Sequence, residues 1–347
     1  VGVSNMEPCP VCEGTGCLLT DVCPLCDGAA CGNACNGSQC FFSHISANGV
    51  TAWPHLANGE RVLCLGVGGS LDVVAAAGVA QELVAMSPGA QVLFGGVDLH
   101  AETEGWEASG HGCMYRRPDG GLAGLGKAAR RRQQTQIEWL LPSGPEGSPL
   151  LFRLPQLWDH SPDELVDANC ASLCPGLDAL RLDRIIAIDV GGDALTGGRR
   201  SDARSGQDWQ VLNAVLRCAM PSELVVVGLG VDGETPMQAL TSALKRAAAA
   251  GAYKARMDVS GALLKGLRRV RDDFGVQCKH ACPNIVTAAV DGKLRPSNLA
   301  CCIVVPRNLC PHLPRKWATS AFTFDLEWAV KDAVSSRTAA RDVKASA

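Results

Sequence analysis

Short apolar runs, each closed by a glycine turn and followed by a helical pattern, recur along most of the chain. RVLCLG (61–66) has the length and bounds of a buried strand. LDVVAAAGVAQELVAM (71–86) then has the length of a helix, and AQVLFGGVD (90–98) returns to a strand. The design repeats in LDRIIAIDVGGD (182–193) with its helix DWQVLNAVLRCAM (208–220). It repeats again in SELVVVGLGVDGE (222–234) with TPMQALTSALKRAAAAG (235–251), and LACCIVV (299–305) reads as a late apolar strand. Strand, glycine turn and helix in alternation predict an α/β fold with a mostly parallel, Rossmann-like sheet and helices on both faces. We expect this domain to span 61–330.

The remaining segments lack that pattern. Residues 1–42 are rich in Cys, Gly and Asn and too poor in apolar residues to form a core, so a segment of this size needs metal or disulfides for stability. Residues 43–60 read as a linker and 331–347 as a tail that is a fraying helix or disordered. The stretch at about 100–175 is rich in Gly, Pro and polar residues. It is expected to be an insertion or lid, with only QTQIEWLL and SPLLFRL looking regular.

Charge narrows the functional classes. Lys and Arg number 32 against 35 Asp and Glu, a net charge of −3, which gives no electrostatic footprint for nucleic acid or an anionic membrane. No apolar run reaches the ~18 residues a membrane helix needs, and no secretory signal opens the chain, which begins at Val. Of the 18 cysteines, later ones such as Cys64, Cys218, Cys301 and Cys302 lie in apolar surroundings, where buried free thiols are common. This favours a soluble protein in a reducing compartment, either cytoplasmic or an organelle (chloroplast or mitochondrion) entered with a transit peptide that is then removed.

Two C-x-x-C turns, one formed by Cys9 and Cys12 and the other by Cys23 and Cys26, can complete a tetrahedron of thiolates around Zn²⁺. A disulfide-stapled or redox segment and an iron–sulfur cluster are the alternatives. Cys17, Cys31, Cys35 and Cys40 could form a second site, although their spacing is irregular. The run C-x-x-C-x-G-x-G from Cys9 to Gly16 resembles the cysteine-rich zinc module of J-domain co-chaperones. Cys23 to Gly28 matches only its first six positions. The resemblance implies a zinc-held surface that contacts a protein partner.

The three glycine turns carry carboxylates. Gly66, Gly68 and Gly69 precede Asp72; Asp189, Gly191, Gly192 and Asp193 follow the next strand; Gly228, Gly230, Asp232, Gly233 and Glu234 follow the third. In an open parallel sheet ligands sit beyond the carboxyl ends of the strands, so these turns are expected to meet in one crevice. Such a crevice could hold Mg²⁺ or share protons among its acids, with the glycine backbones approaching a phosphate. Alternatively, each Asp simply caps a helix. We take Asp72, Asp193 and Asp232 as candidate ion or proton-transfer groups. Gly66, Gly68, Gly69, Gly191, Gly192, Gly230 and Gly233 are the candidate ligand cradle. His280, Cys282 and Asn284 could suggest a nucleophile or a metal site, but no second ligand or hydrolase motif accompanies them.

VLCLGVGGSLDVVAA, IIAIDVGGDALTGG, VVVGLGVDGE, PNIVTAAVDGKL and AFTFDLEWAV occur in this order. Together they resemble the family known as domain of unknown function 1152. The resemblance implies a Rossmann-like sheet over roughly 61–330 and no established reaction. The expected function is therefore binding of a nucleotide or phosphorylated metabolite in a carboxylate-lined cleft, with catalysis left open. The alternative is a non-catalytic subunit of a larger assembly, docked through the cysteine module.

Overall fold

The computed structural model describes residues 53–68, 70–98, 107–116, 150–154, 160–197, 206–231, 235, 237–274, 282–292 and 315–345. The expected zinc ligands Cys9, Cys12, Cys23 and Cys26 lie outside the described residues, as do Cys17, Cys31, Cys35 and Cys40. Gly69, Asp232, Gly233, His280 and the run LACCIVV also lie outside them. Among the described residues nine strands form one sheet: β1 (Arg61–Gly66), β2 (Gln91–Asp98), β3 (Glu107–Ala108), β4 (Met114–Arg116), β5 (Leu150–Arg153), β6 (Arg184–Val190), β7 (Ser222–Val227), β8 (Tyr253–Asp258) and β9 (Ser320–Asp325). Their order is β3-β4-β5-β2-β1-β6-β7-β9-β8. The five central strands, β5-β2-β1-β6-β7, are all parallel. Antiparallel pairs close both flanks.

The helices are α1 (Ser70–Met86), α2 (Pro162–Ala179), α3 (Gln207–Arg217), α4 (Met237–Ala249), α5 (Gly261–Phe274), α6 (Cys282–Val290), α7 (Arg315–Ala318) and α8 (Leu326–Ala345). Period-two alternation sends successive strand residues to opposite faces, and each face finds its own helices. Leu63, Leu65, Ile185, Ala187, Leu224 and Val226 meet α2, α3, α4 and α8. Val62, Cys64, Ile186, Ile188, Val225 and Val227 meet α1, α5 and α6. Both faces of the parallel strands are thereby buried, which explains why the runs are continuously apolar. Helix α1 is apolar on nearly every side because it packs between the sheet and α5. Gly78 in its middle permits that packing: a Cβ there would lie 2.7 Å from Leu263 Cα.

The segment at 100–175, expected as an insertion or lid, supplies β3, β4, β5 and most of α2. Strand β5 pairs in parallel with β2, so these residues are part of the sheet. Strand β5 was hard to read from sequence because it has only four residues and stands among Gly and Pro. The residues after Val330 continue α8, which runs from Leu326 to Ala345, and Trp209 of α3 donates a hydrogen bond to the Val330 carbonyl at 2.9 Å. Cys218 is not a free thiol; it is bridged to Cys174 of α2. Apolar sequence context predicts a buried sulfur but says nothing of a partner 44 residues away. Cys64 is free and buried as expected. Among the described residues no helix is long and apolar enough to cross a membrane.

One helix start depends on a residue far away in sequence. Glu82 of α1 accepts hydrogen bonds from the N–H groups of Ala262 and Leu263, the latter at 3.3 Å, and so caps α5 from outside. A carboxylate there satisfies orphan donors and complements the helix dipole. We expect Glu82→Ala to destabilise the protein by about 1 kcal/mol in urea unfolding with unchanged m-value, whereas Glu82→Gln retains part of the cap. An unaltered midpoint for the alanine variant would show that the cap contributes nothing.

Candidate functional site at the strand tips

Strand order reverses between β1 and β6. From β1 the chain builds outward through β2 to β5, then returns to place β6 on the other side of β1. The two crossovers leave in opposite directions, so a crevice opens at the carboxyl ends of these neighbouring strands. Asp72, in the first turn of α1, spans it. Its Oδ2 accepts from Gly68 N–H at 2.5 Å and its Oδ1 from Val190 N–H at 3.0 Å, tying the tip of β1 to the end of β6. Val67 N–H also donates to the Ile188 carbonyl at 3.1 Å.

The β6 and β7 tips are joined in the same way. Gly191 N–H donates to the Val227 carbonyl at 3.1 Å, and Gly230 N–H to the Gly191 carbonyl at 2.5 Å. Gly191 and Gly192 have φ of 118° and 102°, and Gly228 and Gly230 have 64° and 83°. These left-handed backbones explain why glycine recurs at the turns. The described tips therefore lie side by side, with Gly68, Gly191 and Gly230 each committing its N–H to an acceptor of the protein itself.

Around this seam four carboxylates meet. Oxygens of Asp189, Asp193 and Asp208 all lie within 4.8 Å of one another, with Asp189 buried and the other two half-buried. Asp72 is close enough to act electrostatically on Asp208. Burial pushes the Asp193 carboxyl above the ordinary carboxylate range, opposed by hydrogen bonds from Asp208 and Asp189. Burial pushes Asp208 well above it, and the charges of Asp193, Asp189 and Asp72 add to the effect. Such a group holds protons or a cation at neutral pH, because several close negative charges out of water cannot all remain uncompensated. A donor set made of carboxylate oxygens suits a hard divalent ion such as Mg²⁺ rather than a thiophilic one.

Of the three acids named from sequence, Asp72 and Asp193 belong to this neighbourhood, and Asp232 lies outside the described residues. The thiolate set expected for Zn²⁺, made of Cys9, Cys12, Cys23 and Cys26, is likewise outside them, and the carboxylate cluster shares no residue with it. Asp189, noticed in the glycine-turn motif, is a full member. Asp208 was missed. Its signal was present: it is the acid in the first turn of α3, as Asp72 is in the first turn of α1. Gly68 packs directly on the cluster, since a Cβ there would run into Asp208 Oδ1 and lie 2.7 Å from Asp72 Oδ2. Gly66 and Gly192 have packing roles. A Cβ on Gly66 would meet the α1 backbone, and one on Gly192 would lie 2.5 Å from Leu229 Cδ1.

The family described as protein of unknown function (DUF1152) matches residues 166–281, from within α2 to just beyond α5. That stretch contains Asp189, Asp193 and Asp208 but not Asp72. No curated protein and no solved structure matches the chain. Over well under half of its length, in the β6–β7 part of the sheet that carries three of the four acids, the chain is similar to the DUF1152 family.

Proposed function

We propose that the crevice between the tips of β1 and β6 binds a divalent hard cation and, through it, a nucleotide or phosphorylated metabolite. The observation that carries this reading is the meeting of Asp72, Asp189, Asp193 and Asp208 where strand order reverses. A bare phosphate is repelled by such a group, and the N–H groups of Gly68, Gly191 and Gly230 are already used. A cation reverses the sign of the field and lets phosphate oxygens complete its coordination. In this account Asp189, Asp193 and Asp208 hold the ion, and Asp72 positions the two strand tips. Glycines at the tips keep the rim low enough for a ligand to approach.

The test is a thermal-shift series with Mg²⁺ alone, ADP alone and the two together. At a hundredfold excess over the dissociation constant a ligand stabilises by about 2.7 kcal/mol, which for a chain of this size raises Tm by roughly 4 °C. Mg²⁺ is expected to stabilise, ADP to add to the effect only with Mg²⁺ present, and Asp193→Asn to remove both responses. Stabilisation by ADP without any divalent ion would refute the cation-first arrangement. Silence in all three conditions would refute the site.

A further inference from the structure

A second chemical cluster lies at the other end of α3. Cys218 directly follows that helix and is bridged to Cys174 on α2. Cys170 is four residues before Cys174, so both cysteines occupy one side of α2. The Cys170 sulfur lies 3.8 Å from the Ala214 carbonyl oxygen, and the Cys218 sulfur lies 3.2 Å from the same atom. All three side chains are only partly buried, and Cys170 is a free thiol.

We propose that Cys170, Cys174 and Cys218 form a thiol–disulfide exchange site in which Cys218 passes between Cys174 and Cys170. The Cys170 thiolate attacks the Cys218 sulfur, a new bond joins these two, and the Cys174–Cys218 bond breaks. Its electron pair leaves on Cys174, which takes up from solvent the proton that Cys170 released. The step is an exchange with no net oxidation, so it requires no other reactant.

Two observations single out Cys170 from the other free thiols among the described residues, and a third concerns Cys218. Burial holds Cys64 far above the ordinary thiol range and pushes Cys113 to about 12, so neither forms thiolate readily. Burial also raises Cys170, but the Arg217 guanidinium beside it opposes the shift. Finally, Cys218 sits where α3 ends. It caps the end of α3, and Ala219 after it holds a φ of 57° in a turn that leaves the helix. The remainder of α3 is anchored independently, by Trp209 on Val330 and by Gln210 Nε2 on the Pro162 carbonyl at 3.1 Å. Transfer of Cys218 by one helical turn along α2 thus shifts the end of α3 without depending on the cation site.

Alkylation with iodoacetamide followed by non-reducing peptide mapping tests this on the full chain. In the wild type the label is expected on Cys170 in some chains and on Cys174 in others, with Cys218 unlabelled. Label on Cys170 with none on Cys174 would show a fixed bridge and overturn the proposal. In Cys174→Ser, Cys218 is expected to bridge to Cys170 in most chains; Cys170 and Cys218 both taking label would overturn it. Cys170→Ser should leave Cys174 and Cys218 unlabelled, and label on either would remove the bridge on which the exchange rests. If Cys174→Ser does not fold, the wild-type labelling pattern still decides.

Discussion

The metal-free protein is expected to lose thermal stability as pH rises above the ordinary carboxylate range, and Mg²⁺ is expected to restore it. Asp193 and Asp208 have their folded-state carboxyls raised, first by burial and then, for Asp208, by neighbouring charges. In the unfolded chain the same groups titrate near the ordinary value of about 4. Between the unfolded and the raised folded values, the native state therefore holds more protons than the unfolded state. Stability is fully present below that window and falls as pH climbs through it, the reverse of a salt-bridged carboxylate. A divalent cation compensates the same charges and competes with the protons, so its stabilising effect grows with pH. Asp208→Asn removes one negative charge from the cluster. It should flatten the metal-free pH profile, raise metal-free stability at neutral pH and weaken the Mg²⁺ response. The measurement is Tm against pH for both proteins, with chelator and with Mg²⁺. Parallel profiles for wild type and Asp208→Asn in chelator would show that the acids are not coupled as described.

Gly66→Ala is expected to be among the most destabilising single-methyl additions to the sheet, at about 3–5 kcal/mol in urea unfolding. The new Cβ would lie 2.6 Å from both the Asp72 carbonyl carbon and Val73 N. These are backbone atoms of the first turn of α1, and a rotamer change cannot relieve the clash. The turn must shift, and with it Asp72, whose two oxygens hold Gly68 N–H and Val190 N–H. Overpacking and the loss of two charge-assisted bonds thus act together. Gly68→Ala provides the contrast: its Cβ would press on carboxylate ends of Asp208 and Asp72, which can rotate away. That variant should remain folded with a smaller loss and show a reduced Mg²⁺ response. A Gly66→Ala protein as stable as the wild type would mean that the glycine is not required for strand–helix contact.

The parallel core was legible because burial on both faces leaves an unambiguous mark. VLCLG, IIAIDV and ELVVV are too apolar and too short to be anything but inner strands of a helix-covered sheet, and all three are central. The flanks were not legible. Strands β3 and β4 have two and three residues, and β5 has four, so none spans enough residues for alternation to be read. Strand β9 was present in AFTFDLEWAV, but its antiparallel place between β7 and β8 is a long-range pairing without a local signature.

For the site, the sequence by itself determined that acids and glycines would stand at the ends of β1 and β6, and glycines at the end of β7. A strand ending in glycine followed by a helix has to turn there, and polar residues gather where the backbone leaves the sheet. Only the tertiary structure decided which acids share a crevice. That depends on strand order, and placing β6 beside β1 brings Asp72 to within a hydrogen bond of Val190, 118 residues away. Asp208 shows the same limit: as sequence it is an ordinary first-turn acid, and only its burial beside Asp193, Asp189 and Asp72 pushes its carboxyl well above the ordinary range. Local chemistry is written in the order of residues, whereas the field at a group is set by neighbours that the chain brings together only when it folds.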